Sequence, residues 1–261
     1  MPQAIVTSDQ PVSTPARRRG CRGFILGFAI MLLYVGVRAL IYSAVPDDVP
    51  GGWIATDTMM DLPRLLCFAL ALVVGLKLWG RRGLGLHADR VVAGIGIGAA
   101  SVVLGLLGNF SRAPTAGYPA HVLAVLAVSS LIVALHEELV FRGVIFTGLR
   151  DWLGSQVAIW ISSVLFVVYH VQAQPLAEWP TIFLFGVLYA VLRDRGVGLW
   201  WLILAHAALD ALVFLTNHGE YGLASWPYLI FGIQALFVVG CMLMLRRPEG
   251  ADPTLAPRGA S

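Results

Sequence analysis

Apolar residues run along this chain in long stretches, separated by short breaks that carry the charges, prolines and many of the glycines. The pattern predicts spans at about Phe24–Val45, Leu62–Trp79, Val91–Gly108, Ala120–Leu149, Gln156–His170, Trp179–Leu192, Gly198–Leu215 and Trp226–Leu245. About 20 apolar residues in a helix cross the hydrocarbon of a bilayer. The expected fold is therefore all-α, a polytopic membrane helix bundle of about eight transmembrane helices. The fourth stretch is too long for one crossing, so its last turns either leave the membrane or bend near Gly143. The stretch from Phe24 is too long for the apolar part of a cleaved signal peptide and reads as a retained first helix. The expected organisation is a disordered basic cytoplasmic tail over 1–23, N-terminal transmembrane helices over 24–115, a core over 116–216, a last transmembrane helix over 217–245 and a disordered tail over 246–261.

Composition agrees with a membrane protein: 58% of residues are hydrophobic, 13% are charged, and the mean hydropathy is +0.78. The formal net charge of +3 comes from basic residues at helix ends, so no nucleic-acid partner is expected. With the N-terminus inside, Arg17, Arg18, Arg19, Arg22, Lys77, Arg81, Arg82, Arg90, Arg150, Arg193, Arg195, Arg246, Arg247 and Arg258 fall on the cytoplasmic side. The outer segments then hold Arg112 and Arg64 with Asp47, Asp48, Asp57, Asp61, Glu178 and Glu220. Both termini are thus expected in the cytoplasm, and a plasma membrane is the simplest location. Arg38, within the first span, reads as snorkelling or as pairing inside the bundle. Cys21, Cys67 and Cys241 show no paired spacing, which argues against a disulfide framework and a cysteine-ligated zinc. Gly94, Gly96, Gly98 and Gly105 read as small-residue helix packing.

The chemistry concentrates in His136-Glu137-Glu138-Leu139-Val140-Phe141-Arg142-Gly143. Charges at membrane depth are costly unless paired or facing a polar cavity. Glu138 and Arg142 are i,i+4 neighbours on a helix and pair, while Glu137 points about 100° away. Two further spans carry ionisable groups: His170 ends the fifth, and His206 and Asp210 share a face of the seventh. At helical rise, Glu137 and His170 lie about 25 Å above the turn near Gly154, with His206 and Asp210 about 16 and 21 Å above the turn near Gly196. These groups can therefore meet in one pocket within the membrane, either as a site or as a structural ion-pair network. His136 points to another face, towards the site's surroundings or the lipid headgroups. His87, His121 and His218 read as loop or surface residues. HExxH is absent, because Val140 occupies the second histidine's place.

Glu137-Glu138-x-x-x-Arg142, Phe166-x-x-x-His170 and His206-x-x-x-Asp210, in that order on successive apolar spans, resemble the three-part signature of the CPBP family. These are the type II CAAX prenyl proteases and bacteriocin-processing, Abi-type enzymes. The resemblance covers about residues 120–215 and makes 116–216 the expected catalytic core. It implies an intramembrane endopeptidase acting on a membrane-bound protein or peptide. By position, Glu137 would activate water, His170 would assist, and His206 with Asp210 would orient the carbonyl or stabilise the oxyanion. Glu138, Arg142 and Phe166 would support them. The prenyl-protease branch typically has Asn where this chain has Asp210, so the amide's role does not transfer directly.

The residues themselves also point to hydrolysis, which needs a base, an electrophilic stabiliser and a screened water. Glu137, His170, His206 and Asp210 are also suitable zinc ligands, so a divalent metal is an alternative to a glutamate base without metal. Two other classes are compatible with the pattern. One is a non-enzymatic scaffold, immunity or regulatory protein on the same fold. The other is a proton-coupled transporter, weakened by the lack of a clear internal repeat.

Overall fold

The computed structural model describes residues 13–44, 52–109, 119–217 and 227–244, and among them every regular element is helical. The helices are α1 (Thr14–Ala44), α2 (Gly52–Leu84), α3 (Val91–Asn109), α4 (Ala120–Glu138), α5 (Phe146–Leu153), α6 (Ser155–His170), α7 (Trp179–Asp194), α8 (Leu199–Asn217) and α9 (Pro227–Met244). A π-helical segment, Leu139–Ile145, joins α4 to α5, and a single 3-10 turn, Leu176–Glu178, precedes α7. Thr14–Ala44, Thr56–Leu84, Ala120–Leu153 and Leu176–Asp194 are long and apolar enough to cross a membrane by length and composition. Shorter apolar helical stretches occur at Val91–Ala100, Ser155–His170, Leu199–Leu212 and Phe231–Leu243. The chain is an integral membrane protein built as an all-α bundle.

The rod formed by α4, the π segment and α5 is the centre of the bundle. Residues 139–149 are buried without exception. Helices α1, α2, α6 and α8 pack around it, with α7 against α6, α3 against α8, and α9 outside α7. The long fourth stretch passes around Gly143 through a π-helical segment over residues 139–145. Such turns insert an extra residue into the helical repeat and re-aim the side chains that follow; they occur often at functional sites.

Two boundaries differ from the sequence pattern for physical reasons. Helix α1 begins at Thr14, so residues 14–23 are helix and not part of a disordered tail. Arg19 pairs with Asp151 at 3.2 Å, and Gly20 packs directly on Gly148 of α5, so tertiary partners extend the helix into a basic stretch that hydropathy excludes. Helix α2 begins at Gly52, so Asp57 and Asp61 lie on the same helix as Arg64 and not in a segment before it. Both carboxylates pair with one guanidinium: Arg64 contacts Asp57 at 2.6 Å and Asp61 at 3.0 Å. The small-residue reading of α3 is met at Gly94, against Trp201, and at Gly98, against Ala205, but Gly96 faces no neighbour. The side chain of residue 105 and residues 110–118 and 218–226 lie outside the described residues.

Candidate active site

The end of α4 delivers Glu137 and Glu138 side by side, both buried. The last turn of α6 delivers His170, and the middle of α8 delivers His206 and Asp210. The structure brings all of these together. His170 Nε2 lies 3.7 Å from Glu137 Oε2, and His206 Nε2 lies 3.9 Å from the same oxygen. Asp210 Oδ2 is 3.5 Å from His206 Nε2. Glu137 Oε2 is buried and takes no hydrogen bond from a described protein group.

Hydrogen bonds fix both imidazoles from behind. His170 Nδ1 donates to the Phe166 carbonyl at 2.7 Å, one turn back on its own helix. His206 Nδ1 donates to Glu138 Oε1 at 2.8 Å. With Nδ1 engaged in each ring, both Nε2 atoms face Glu137. This is the orienting arrangement that sets a histidine's tautomer.

Arg142 reaches Glu138 Oε1 at 3.3 Å, as the i,i+4 spacing predicted, and is almost completely buried. Its guanidinium lies 4.2 Å from the Phe166 ring centroid and 5.5 Å from that of Tyr189. Aromatic faces attract a cation by their quadrupole, and desolvation strengthens the attraction. Phe166 therefore serves twice: its ring holds Arg142 and its carbonyl holds His170.

Some residues were placed differently by the sequence. His136 is fully buried, so the headgroup alternative fails; its Nδ1 meets the Arg64 carbonyl at 3.2 Å and its ring packs on Tyr34. Arg38 takes the pairing alternative: it is buried, lies over the Tyr169 ring, and donates to the Tyr169 carbonyl. Tyr34, Arg64 and Tyr169 adjoin the site and were not singled out by their sequence. The i−7 and i−3 spacing of Asp57 and Asp61 from Arg64 was the available signal. His121 is exposed at the start of α4, and His218 lies outside the described residues. His87 accepts a hydrogen bond from the Asp89 N–H in the turn after α2; burial and then the charge of Arg193 hold its imidazole below the usual range.

The metal alternative is not supported by this arrangement. Among the described residues no three of His, Cys, Asp and Glu form a group that would hold an ion. His170 and His206 both approach Glu137, and Asp210 adjoins His206.

Fold and cluster together define a helical membrane protein with a buried carboxylate–imidazole site. Residues 119–212 match the family described as type II CAAX prenyl endopeptidase Rce1-like, which bears out the resemblance carried by the three motifs. The matched segment runs from the start of α4 to the middle of α8 and contains all the motif residues. The chain is also 33% identical over 100 residues to an uncharacterized 24.3 kDa protein of Escherichia coli, covering 36% of this chain and 44% of that protein. The match thus spans less than half of that relative's length. No solved structure matches.

Proposed function

We propose that the protein is an intramembrane endopeptidase in which Glu137 is the general base. The observation that carries this reading is the buried Glu137 Oε2, faced by two oriented imidazole Nε2 atoms at 3.7 and 3.9 Å. Gaps of this size between polar groups suit one bridging water. Glu137 takes a proton from that water while its oxygen attacks the peptide carbonyl carbon. The carbonyl oxygen becomes an oxyanion, which the proton shared by His206 Nε2 and the Asp210 carboxyl stabilises as a hydrogen-bond donor. The proton held by Glu137 passes to the amide nitrogen, the oxyanion collapses as the C–N bond breaks, and a carboxylic acid and an amine leave, the acid's proton then passing to the amine. His170 orients the water through Nε2, and Glu138, Arg142 and Phe166 hold the imidazoles and the helix turn in place. The substrate class is a membrane-associated protein or peptide.

The same reading places the protein in the plasma membrane with both termini in the cytoplasm. One end of the bundle gathers Arg19 and Trp79 on Asp151, Arg193 on the Gly83 carbonyl, and Arg195 on the Met242 carbonyl. A basic end of this kind supports a cytoplasmic side. Terminal proteomics of membranes carrying the wild type or Glu137→Ala tests the function: peptide ends present only with the wild type support it, and identical sets of ends refute it.

A further inference from the structure

The segment that matches the endopeptidase family begins at residue 119, yet α1 and α2 reach the site. Tyr34 of α1 is 1% exposed and packs against both α4 and α6. Its ring centroid lies 4.6 Å from that of His136 and 5.3 Å from that of Tyr169. His136 immediately precedes Glu137, and Tyr169 immediately precedes His170. The His136 and Tyr169 rings also stack on each other at 6.1 Å, so Tyr34 closes a three-ring cluster on the two backbone segments that deliver the facing pair.

Two buried arginines border this cluster. Arg64 Nε donates to the Tyr34 hydroxyl at 3.2 Å. Arg64 is itself fixed by Asp57 and Asp61, both of which accept from Ser129 Oγ of α4 at 2.9 Å. Arg38, one helical turn beyond Tyr34, lies 4.8 Å from the Tyr169 ring centroid, donates to the Tyr169 carbonyl and reaches Gln172 Oε1 at 3.4 Å. Apolar side chains would pack three helices without the desolvation cost that buried cations carry. Both cations instead converge on the tyrosine and on the carbonyl beside His170.

We infer that Tyr34 is a positioning residue for the hydrolysis: its ring, packed on His136 and Tyr169 and bordered by Arg64 and Arg38, fixes the placement of Glu137 relative to His170. This rests on the endopeptidase reading. A misplacement of about 1 Å in a reacting pair costs up to about a hundredfold in rate.

The test uses the full chain in detergent and a peptide, taken from a library, that the wild type cleaves. Tyr34→Ala is expected to lower kcat at least about tenfold with KM changed less than about threefold, and Tyr34→Phe to restore kcat to within about threefold. A second measurement needs no substrate. Histidine-selective 15N NMR, assigned with single His→Gln variants, should show Tyr34→Ala moving the His136 and His170 signals and leaving His206, which the three-ring cluster does not touch. If Tyr34→Ala is not recovered, Tyr34→Leu keeps apolar volume without the planar ring and carries the same expectations. An unchanged His170 signal overturns the inference, as does a rise in KM alone or an equal movement of His206. If the wild type cleaves no more than Glu137→Gln, the endopeptidase reading fails, and the NMR result alone decides whether Tyr34 positions His170.

Discussion

Glu138 and His206, 68 residues apart in the chain, share a buried hydrogen bond in which Nδ1 donates to Oε1 at 2.8 Å. The same oxygen faces Arg142 at 3.3 Å. Glu138 is therefore more than half of an i,i+4 pair. It ties α8 to the end of α4 and turns His206 so that Nε2 faces Glu137 and Asp210.

Glu138→Gln and Arg142→Ala should each destabilise the fold, because each leaves a buried partner charge unmatched. Breaking a buried pair from one side costs about 3–5 kcal/mol. Thermal melting in detergent reads this directly, and wild-type melting of both variants would contradict the structural role.

Glu137→Gln should abolish cleavage with little change in expression or melting. The amide keeps the shape but cannot accept the water's proton. Glu137 Oε2 carries no hydrogen bond from the described protein groups, so the substitution costs little packing. Turnover retained in the variant would remove Glu137 as the base.

The crossing of α1 and α5 depends on two glycines. A Cβ at Gly20 would stand 2.7 Å from the Gly148 carbonyl oxygen, and one at Gly148 would stand 2.6 Å from the Phe24 nitrogen. These are backbone atoms and cannot swing aside. Gly148→Val should therefore lower the melting temperature and yield, with a cost of about 1–3 kcal/mol as for other overpacked cores. Gly36, which has no neighbour within 4 Å, is the control: Gly36→Ala should melt like the wild type.

The convergence of Glu137, His170, His206 and Asp210 was legible in the sequence because helical rise and antiparallel turns fix depth along an axis. The pairing of Glu138 with Arg142 followed from i,i+4 spacing on one helix. Partners between distant helices were not legible in the same way. The bond from His206 to Glu138 depends on how α8 rotates against α4, and no periodicity within either helix specifies that. Tyr34 and Arg64 were missed because an aromatic in an apolar run looks like packing, and an arginine near two aspartates looks like a loop. Hydropathy likewise placed the starts of α1 and α2 too late, since helical segments rich in charge are stabilised here by Asp151, Asp57 and Asp61.

Reporter fusions should place the segment after Arg247 in the cytoplasm and the segment 46–60 outside. The expectation rests on the arginines gathered at one end of the bundle, around Asp151 and the Gly83 carbonyl. A reversed result at either position would invert the proposed topology.

Asp210 is where the chain departs from the amide usual in the prenyl-protease branch, and it gives the sharpest test of the chemistry. Its Oδ2 lies 3.5 Å from His206 Nε2. With Nδ1 of that ring committed to Glu138, a proton between Nε2 and the Asp210 carboxyl relieves the opposition of a lone pair and a carboxylate. A protonated carboxyl in a low-dielectric site can donate to an oxyanion. An amide donates in the same direction and never ionises. Asp210→Asn should therefore keep activity within about tenfold of the wild type and hold it at higher pH, where the wild type loses its donor. Asp210→Ala, with no donor, should lose about a hundredfold or more, the usual cost of removing one such group. The measurement is kcat against pH for the three proteins on one cleaved peptide. An Asn variant as inactive as the Ala variant, with zinc present in the wild type and lost from both by elemental analysis, would show that the carboxylate acts as a charge and not as a donor.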